Sequence, residues 1–445
     1  MGERWLRIGA TGVTIAVLLC LVFVPTTLFA GGEGEREEMR LVLWHQEQPP
    51  RRVQRFEEVI ADFNAMYEGI TVDVQVGGWD VAYQRVSAAA LAGQAPDLMF
   101  VIPDFAMTVK ELGVAAPVTQ LVEELHNEHR FVAAAIDPYF ADGEYWAVPL
   151  FGMQQVLWYR RDLFREAGIE AAPTTWDELI AAAERLSEYG RYGIAVPAGR
   201  NLASDQVIYS LMVTSGAQNL FDDACNVTFD TPETVRALAL YQRLVELSPA
   251  DATSYAWGEP QALFNAGEAA MAIEKGQYLG PFTSESGRSA ADLGMARLPL
   301  PGTGGREGAI YYSNAVMVLT DDPARREAAS QLIHFILSTE QYGRFLTAEP
   351  GLFLPTTMSG LDSQSFWDDP IIAQYREYIE EMVAYSDHGE LFGFTGGNVC
   401  PAVTAISQQN LLAQTVQQMV VLGLTPREAA AWGQRQMEAA VRDSQ

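Results

Sequence analysis

Hydrophobic and polar positions follow two different periods along the first part of the chain. Residues 41–44 form a short apolar run, residues 53–67 carry apolar side chains at helical spacing, and residues 70–76 alternate. These patterns predict a buried strand, an amphipathic helix and a second strand. Because a strand, a helix and a strand in so short a stretch are typical of a βαβ unit, the sequence predicts an α/β fold with parallel strands.

Similar patterns predict elements further along the chain. Strands are expected over residues 192–196 and 311–319, which are largely apolar. Thr175 and Glu178 form a Thr-x-x-Glu capping box, which predicts a helix start. Pro149 is expected to end a strand, because proline has no N–H to donate to a ladder.

The N-terminus resembles a secretory signal. Arg4 and Arg7 precede the apolar run 13–24, and Ala30 offers a small residue for cleavage. We expect residues 1–30 to be a signal peptide, and the protein to be exported to the periplasm or to the outer face of the cytoplasmic membrane. An uncleaved membrane anchor stays open, because the apolar run is close to the length that spans a bilayer.

Length and charge limit the class of protein. A chain of 445 residues is too long for one ordinary core and predicts two lobes. The 57 acidic residues outnumber the 29 basic ones and give a net charge of −28, which argues against nucleic acid and anionic lipid as partners. Beyond the predicted signal, Cys225 and Cys400 form either one disulfide or two buried thiols, and the sequence leaves both open.

The sequence predicts no catalytic, metal or cofactor site. His126 and His129 lie three residues apart, but no third ligand accompanies them, so a solvated helix face is the expected setting. No Gly-x-Ser-x-Gly elbow occurs. Carboxylates are abundant, so a glycosidase pair among them stays open.

Three motifs occur in a fixed order: DGEYWAVP at 142–149, LWYRRDLFREAGI at 157–169 and PTTWDEL at 173–179. Together they resemble the first inter-lobe crossing of the family 1 extracellular solute-binding proteins, the receptors of ABC importers. Residues 92–100, AGQAPDLMF, and 267–271, GEAAM, resemble strand entries of the same family. The resemblance covers nearly the whole chain after the predicted signal.

This resemblance implies a two-lobed periplasmic-binding-protein fold of type II. Each lobe would be a mostly parallel sheet flanked by helices, and three crossings would join the lobes, which close around the ligand by hinge motion. We expect residues 39–150 and 299–352 in the N-terminal lobe, and residues 151–298 and 353–445 in the C-terminal lobe.

Candidate ligand-binding residues are polar or aromatic side chains in strand ends and loops. Loops at the carboxyl ends of parallel strands line the ligand crevice, and sugars stack on aromatic rings while planar polar groups bind their hydroxyls. The candidates are Trp44, Gln46, Glu47, Trp79, Tyr83, Asp104, Arg200, Asn201, Trp257, Tyr278 and Phe353. Trp44 and Tyr278 are expected at the cleft rim, one from each lobe, with a sugar ring between them.

The predicted function is a monomeric receptor that captures a small polar ligand, a sugar or oligosaccharide, and delivers it to the permease subunits of an ABC importer without a reaction. Three alternatives stay open. One is a secreted glycoside hydrolase, another is a sensor partner with the same fold, and the third is a receptor for glycerol phosphate. In the third, Arg200 would bind the phosphate.

Overall fold

The computed structural model describes residues 38–79, 81–217, 220–394 and 399–443. The predicted signal peptide lies outside these ranges. Among the described residues, no helix combines the length and the apolar character needed to cross a membrane.

Four strands have seven or more residues, and the others are shorter. In chain order they are β1 (Met39–His45), β2 (Ile70–Val76), β3 (Leu98–Val101), β4 (Phe140–Ala141), β5 (Glu144–Tyr145), β6 (Val148–Gln154), β7 (Val156–Arg160), β8 (Met271–Glu274), β9 (Leu293–Ala296), β10 (Ala309–Val318) and β11 (Gly389–Glu390).

Helices connect and cover these strands. The first ten are α1 (Pro50–Met66), α2 (Ala82–Leu91), α3 (Pro103–Glu111), α4 (Thr119–His129), α5 (Ala133–Ile136), α6 (Arg161–Glu166), α7 (Trp176–Ser187), α8 (Leu202–Ser215), α9 (Pro232–Glu246) and α10 (Gly258–Ala266). The remainder are α11 (Leu279–Glu285), α12 (Pro323–Leu337), α13 (Thr339–Leu346), α14 (Gln364–Trp367), α15 (Pro370–Gln374), α16 (Arg376–Tyr385), α17 (Val403–Gln409), α18 (Leu411–Val420) and α19 (Pro426–Asp443).

The larger sheet has the strand order β11-β10-β3-β1-β2, and β6 pairs with β10. β1 runs parallel to β2 and β3, as the βαβ pattern predicts, whereas β10 runs antiparallel to β3 and β6. Every residue of β10 is buried, which explains why this strand reads as a continuous run without alternation.

The smaller sheet has the order β8-β7-β9, and both pairings of β7 are antiparallel. The strand predicted over residues 192–196 is reduced to two separate parallel bridges, Tyr192 with Ala269 and Ala195 with Ala272. The Trp158 indole of β7 donates to the carbonyl oxygens of Glu274 and Lys275, which fixes the end of β8.

Two local predictions had different outcomes. The capping box is confirmed, because the Thr175 side chain accepts from the Glu178 backbone N–H and the Glu178 carboxylate accepts from the Thr175 N–H. The prediction that Pro149 ends a strand is wrong, because it is the second residue of β6 and pairs with Ala315. The register shifts between Asn314 and Ala315, and an irregular pairing of this kind tolerates a residue without an N–H.

Cys225 and Cys400 form a disulfide across 175 positions of sequence, with their Cα atoms 5.6 Å apart. The bond joins the loop before α9 to the segment before α17. Of the two alternatives that the sequence left open, the structure has the disulfide and not two buried thiols.

Candidate functional site

A cavity of about 470 Å³ opens where the loops after several strands meet. The loops after β1 and β2 supply one part of its wall, because the carboxyl ends of parallel strands lie at one edge of a sheet. β10 and the turn after β8 supply further parts. The lining residues are Gln46, Glu47, Gln48, Pro49, Arg52, Trp79, Ile102, Met153, Leu202, Gln206, Trp257, Gly258, Gln261, Lys275, Gln277, Tyr312, Asn314 and Leu352.

A chain of charged contacts holds Trp79 at the cavity wall. Its indole N–H donates to Glu47 Oε1 at 3.3 Å, and Glu47 Oε2 accepts from Arg52. Arg52 Nε donates in turn to Glu349 Oε2 at 3.0 Å. Burial acts to lower the pKa of Arg52, but the two carboxylates outweigh it and raise that pKa above its usual value.

A second polar group lies on the turn after β8. The Lys275 ammonium donates to Gln206 Oε1 of α8 and, at 2.8 Å, to Glu274 Oε1. Both Lys275 and Glu274 are buried, with 4% and 3% of their surface exposed. Trp257 lies nearby in the cavity wall, directly before α10.

Three amide oxygens at the cavity are buried and accept no hydrogen bond from the described residues: Gln46 Oε1, Gln277 Oε1 and Asn314 Oδ1. An acceptor that is buried without a donor destabilises the protein by roughly 1–3 kcal/mol. A ligand hydroxyl that reaches one of these oxygens would supply the missing donor.

Four of the predicted site residues line this cavity: Gln46, Glu47, Trp79 and Trp257. The structure thus brings together residues from three separate stretches of the chain. Their contact with a ligand stays a prediction.

Tyr83 and Asp104 contact each other instead of lining the cavity. The Tyr83 hydroxyl donates to Asp104 Oδ2 at 2.9 Å, and Asp104 is only 2% exposed. Burial raises the pKa of the Asp104 carboxyl, although the hydrogen bond from Tyr83 opposes this effect.

The prediction that Tyr278 lies at the cleft rim is wrong. Its side chain is fully buried, and its ring stacks on Trp158 with centroids 5.8 Å apart and the planes 2° from parallel. Gly276 explains the placement, because a Cβ there would lie 1.9 Å from the carbonyl oxygen of Gly351. This close backbone approach presses the Gly276–Tyr278 turn onto the 349–352 segment, and the tyrosine points into the core.

Trp44 is also absent from the rim. It lies within β1 instead of after it, and only 8% of its surface is exposed. The Arg85 guanidinium lies 3.6 Å from the centroid of its ring, in a cation–π contact that covers it. The rim prediction for this residue is therefore wrong.

Phe353, Arg200 and Asn201 do not line the cavity either. Phe353 is fully buried and stacks on Phe151 at 3.7 Å. Asn201 caps α8 by accepting from the Ser204 N–H, and Arg200 is exposed. The phosphate-binding role considered for Arg200 is thus without support from its position.

Several lining residues were missed by the sequence analysis, above all Lys275, Gln277 and Asn314. The first two follow β8 directly, so the strand-end rule that selected Gln46 and Glu47 would have found them too. Asn314 lies in the middle of the apolar strand β10, where no local signal marks it as part of a site.

The two histidines considered for metal binding have other neighbours. His129 Nδ1 lies 3.0 Å from Ser359 Oγ, and the His126 ring stacks on Phe131. Within the described ranges, no three His, Cys, Asp or Glu side chains converge in a way that could hold a metal ion.

Two curated relatives are similar to most of this chain. An arabinooligosaccharide-binding protein of Halalkalibacterium halodurans is 24% identical over 436 residues, which cover 92% of this chain and 88% of that protein. A binding protein of Brucella abortus is 28% identical over 307 residues, or 67% of this chain and 72% of the other.

Solved structures share the fold. Maltose-bound T. maritima MalE3 has a TM-score of 0.76 at 18% identity, covering 90% of this chain and 99% of that one. A ribitol complex of a solute-binding protein from Agrobacterium radiobacter has a TM-score of 0.75 at 21% identity, covering 91% and 99%. The predicted two-lobed type II fold is confirmed. The expectation of a mostly parallel sheet in each lobe is wrong for the smaller sheet, because β7 pairs antiparallel with both β8 and β9.

The family model described as bacterial extracellular solute-binding protein matches residues 49–343, well over half of the chain. The protein therefore belongs to the bacterial extracellular solute-binding proteins, the family that its crossing motifs resemble.

Proposed function

We propose that this protein captures a sugar, an oligosaccharide or a polyol in the cavity and delivers it to the permease subunits of an ABC importer. The observation that carries the proposal is the combination of two cavity-lining tryptophans, Trp79 and Trp257, with three buried amide oxygens that lack donors. Apolar faces of sugar rings stack on indoles, while their hydroxyls donate to amide oxygens.

The size of the cavity supports this ligand class. Its volume of about 470 Å³ falls within the range of roughly 300–1,000 Å³ that is usual for sites of small molecules. The relatives with named ligands support the same class, since their names give arabinooligosaccharide, maltose and ribitol.

Capture would use closure of the two lobes. We propose residues 39–150 with 299–352 as one lobe and residues 151–298 with 353–445 as the other. The cavity wall then combines Trp79 from the first lobe with Trp257 and Lys275 from the second. Ligand contacts to both walls would favour the closed state, because a ligand shifts an equilibrium only through contacts that differ between the two states.

The proposed role includes no reaction. Glycoside hydrolysis needs two carboxyl groups at the scissile bond. Among the cavity-lining residues that the structure describes, Glu47 alone is a carboxylic acid, and it is bound to Arg52. The lining of this cavity therefore does not favour the hydrolase alternative. Export through a signal peptide at residues 1–30 is part of the proposal.

A thermal-shift screen tests the proposed function. The probes are arabino-oligosaccharides, maltose, cellobiose, ribitol, mannitol and common hexoses, with glycerol phosphate as the competing class. A solute that binds only the folded protein raises its melting temperature. We expect at least one neutral sugar or polyol to do so without being consumed. Stabilisation by glycerol phosphate alone, or steady release of products, would reject the proposal.

A further inference from the structure

Among the residues that the structure describes, Lys275 has acceptors for only two of its three N–H donors. A lysine ammonium carries three N–H groups. Two of them donate to Gln206 Oε1 and Glu274 Oε1. Lys275 lines the cavity, and only 4% of its surface is exposed. The cavity is therefore the place where the third N–H can find an acceptor.

Two other residues of the cavity lining carry acceptors that lack donors among the described residues. Gln277 Oε1 follows Lys275 in the same turn, and Asn314 Oδ1 lies in the same lining. A ligand group that contacts both Lys275 and one of these residues must accept a hydrogen bond from the ammonium and donate one to the amide oxygen. A hydroxyl group does both, whereas a carboxylate cannot donate and a protonated amine cannot accept.

The charges around the cavity argue against an anionic ligand. The carboxylate of Glu274 already pairs with the Lys275 ammonium at 2.8 Å. On the other wall Arg52 is held between Glu47 and Glu349. Each cation thus has at least one carboxylate partner, and together the two cations are paired with three carboxylates.

The same arrangement argues against a cationic ligand. A ligand ammonium beside Lys275 would meet a buried like charge, and unpaired buried charges are strongly disfavoured. From the geometry of this side chain we propose that Lys275 is a specificity determinant, which binds a ligand hydroxyl and restricts the site to uncharged solutes. The inference rests on the proposed function and adds to it a rule for the charge of the ligand.

The test uses matched sets of sugars that differ in charge. Each set contains a neutral sugar with its amino sugar and its uronic acid: glucose, glucosamine and glucuronate, and the equivalent galactose and mannose sets. Binding is measured by calorimetry at about pH 6, where the amines are protonated. Maltose, cellobiose, ribitol and mannitol complete the panel of neutral probes.

Three variants separate the role of Lys275 from a loss of folding. Lys275→Met removes the donor but leaves Glu274 buried and unpaired. The double variant Lys275→Met with Glu274→Gln removes both charges together, and this avoids an uncompensated buried carboxylate. Arg200→Met is the matched control, because Arg200 is an exposed cation outside the cavity.

We expect the wild type and Arg200→Met to bind a neutral probe and to reject its amino and uronic analogues. Both Lys275 variants should bind the neutral probe about tenfold to a hundredfold more weakly, since a charge-assisted hydrogen bond is lost. Their discrimination against the amino sugar should shrink. Glu274→Gln alone should improve binding of the uronic acid by about tenfold.

Two outcomes would overturn the inference, and they differ from failure of the proposed function. If the wild type binds a neutral probe and its charged analogues equally well, Lys275 does not select by charge. If the folded double variant keeps wild-type affinity and selectivity, the ammonium does not contact the ligand. If no neutral probe binds the wild type, the proposed sugar receptor itself is rejected, and the inference with it.

Discussion

The Glu47 carboxylate holds the Trp79 indole with one oxygen and the Arg52 guanidinium with the other. A ring in the cavity wall is thereby held by a carboxylate that is itself paired with a cation. Arg52 is itself held by Glu349, which lies directly before the Pro350–Pro355 segment. These contacts connect the cavity wall to the segment that begins at Pro350.

Replacing Arg52 by Met should weaken both stability and ligand binding. Arg52 is largely buried, and its loss leaves the carboxylates of Glu47 and Glu349 without a cationic partner, which costs about 3–5 kcal/mol. Trp79 would lose its fixed orientation, so affinity for the neutral probe should fall about tenfold. Chemical denaturation, calorimetry and indole fluorescence measure the three effects.

The control is Arg55→Met on the same helix, because Arg55 forms a partly exposed pair with Glu58. Its effect on stability should stay within about 0.5 kcal/mol. Arg52→Lys should recover part of the affinity. If Arg52→Met binds like the wild type, the guanidinium does not position Trp79.

Trp257→Ala should affect ligand affinity, whereas Tyr278→Ala should affect stability. Trp257 lines the cavity, so its loss should reduce affinity about tenfold or more with little change in melting temperature. Tyr278 is fully buried against Trp158, so its truncation leaves a void and should destabilise the fold by about 3–5 kcal/mol. Calorimetry and thermal melting of both variants measure this contrast. If Trp257→Ala binds ligand normally, Trp257 does not contact the ligand.

His45 should make the protein less stable in mild acid. Burial lowers the pKa of this side chain to about 4, although Glu47 opposes the shift, while the unfolded chain has a value near 6.5. The unfolded state therefore binds more protons between these values, and stability falls as the pH drops from about 6.5 to 4. The expected contribution of His45 over this window is about 3 kcal/mol.

Denaturant unfolding of wild type and His45→Phe at several pH values measures this contribution. Phenylalanine keeps the ring between Phe56 and Phe100, which lie 5.2 and 5.9 Å from the His45 centroid. The variant should show a flatter pH dependence. His388→Phe is the control, because His388 is substantially exposed. Parallel curves for wild type and His45→Phe would contradict the prediction.

Removing the disulfide should destabilise the protein without changing which ligand it binds. The bond between Cys225 and Cys400 closes a long loop of chain, and loss of a native disulfide typically costs about 2–5 kcal/mol. The double Cys→Ser variant, and the wild type in reductant, should melt at similarly lowered temperatures. An unchanged melting temperature in reductant would show that the bond does not stabilise the folded state.

The sequence by itself determined several of the elements and the family. The helix start at Thr175 depends on two side chains three positions apart, and the parallel pairing of β1 with β2 depends on patterns within one short stretch. Such signals are local, so they can be identified without knowing which distant residues pack nearby. The strand-end rule also identified Glu47 and Trp79, because strand direction fixes the sheet edge to which the following loop belongs.

Only the tertiary structure decided which side chains reach the cavity. Tyr278 follows a strand as Glu47 does, yet the contact of Gly276 with Gly351, 75 positions away in sequence, turns it into the core. Asn314 lies within the buried strand β10. It becomes part of the cavity wall because residues distant in sequence, such as Glu47 and Gln277, line the same cavity. The direction of a side chain at the end of a strand depends on distant backbone, and a local pattern carries no information about that.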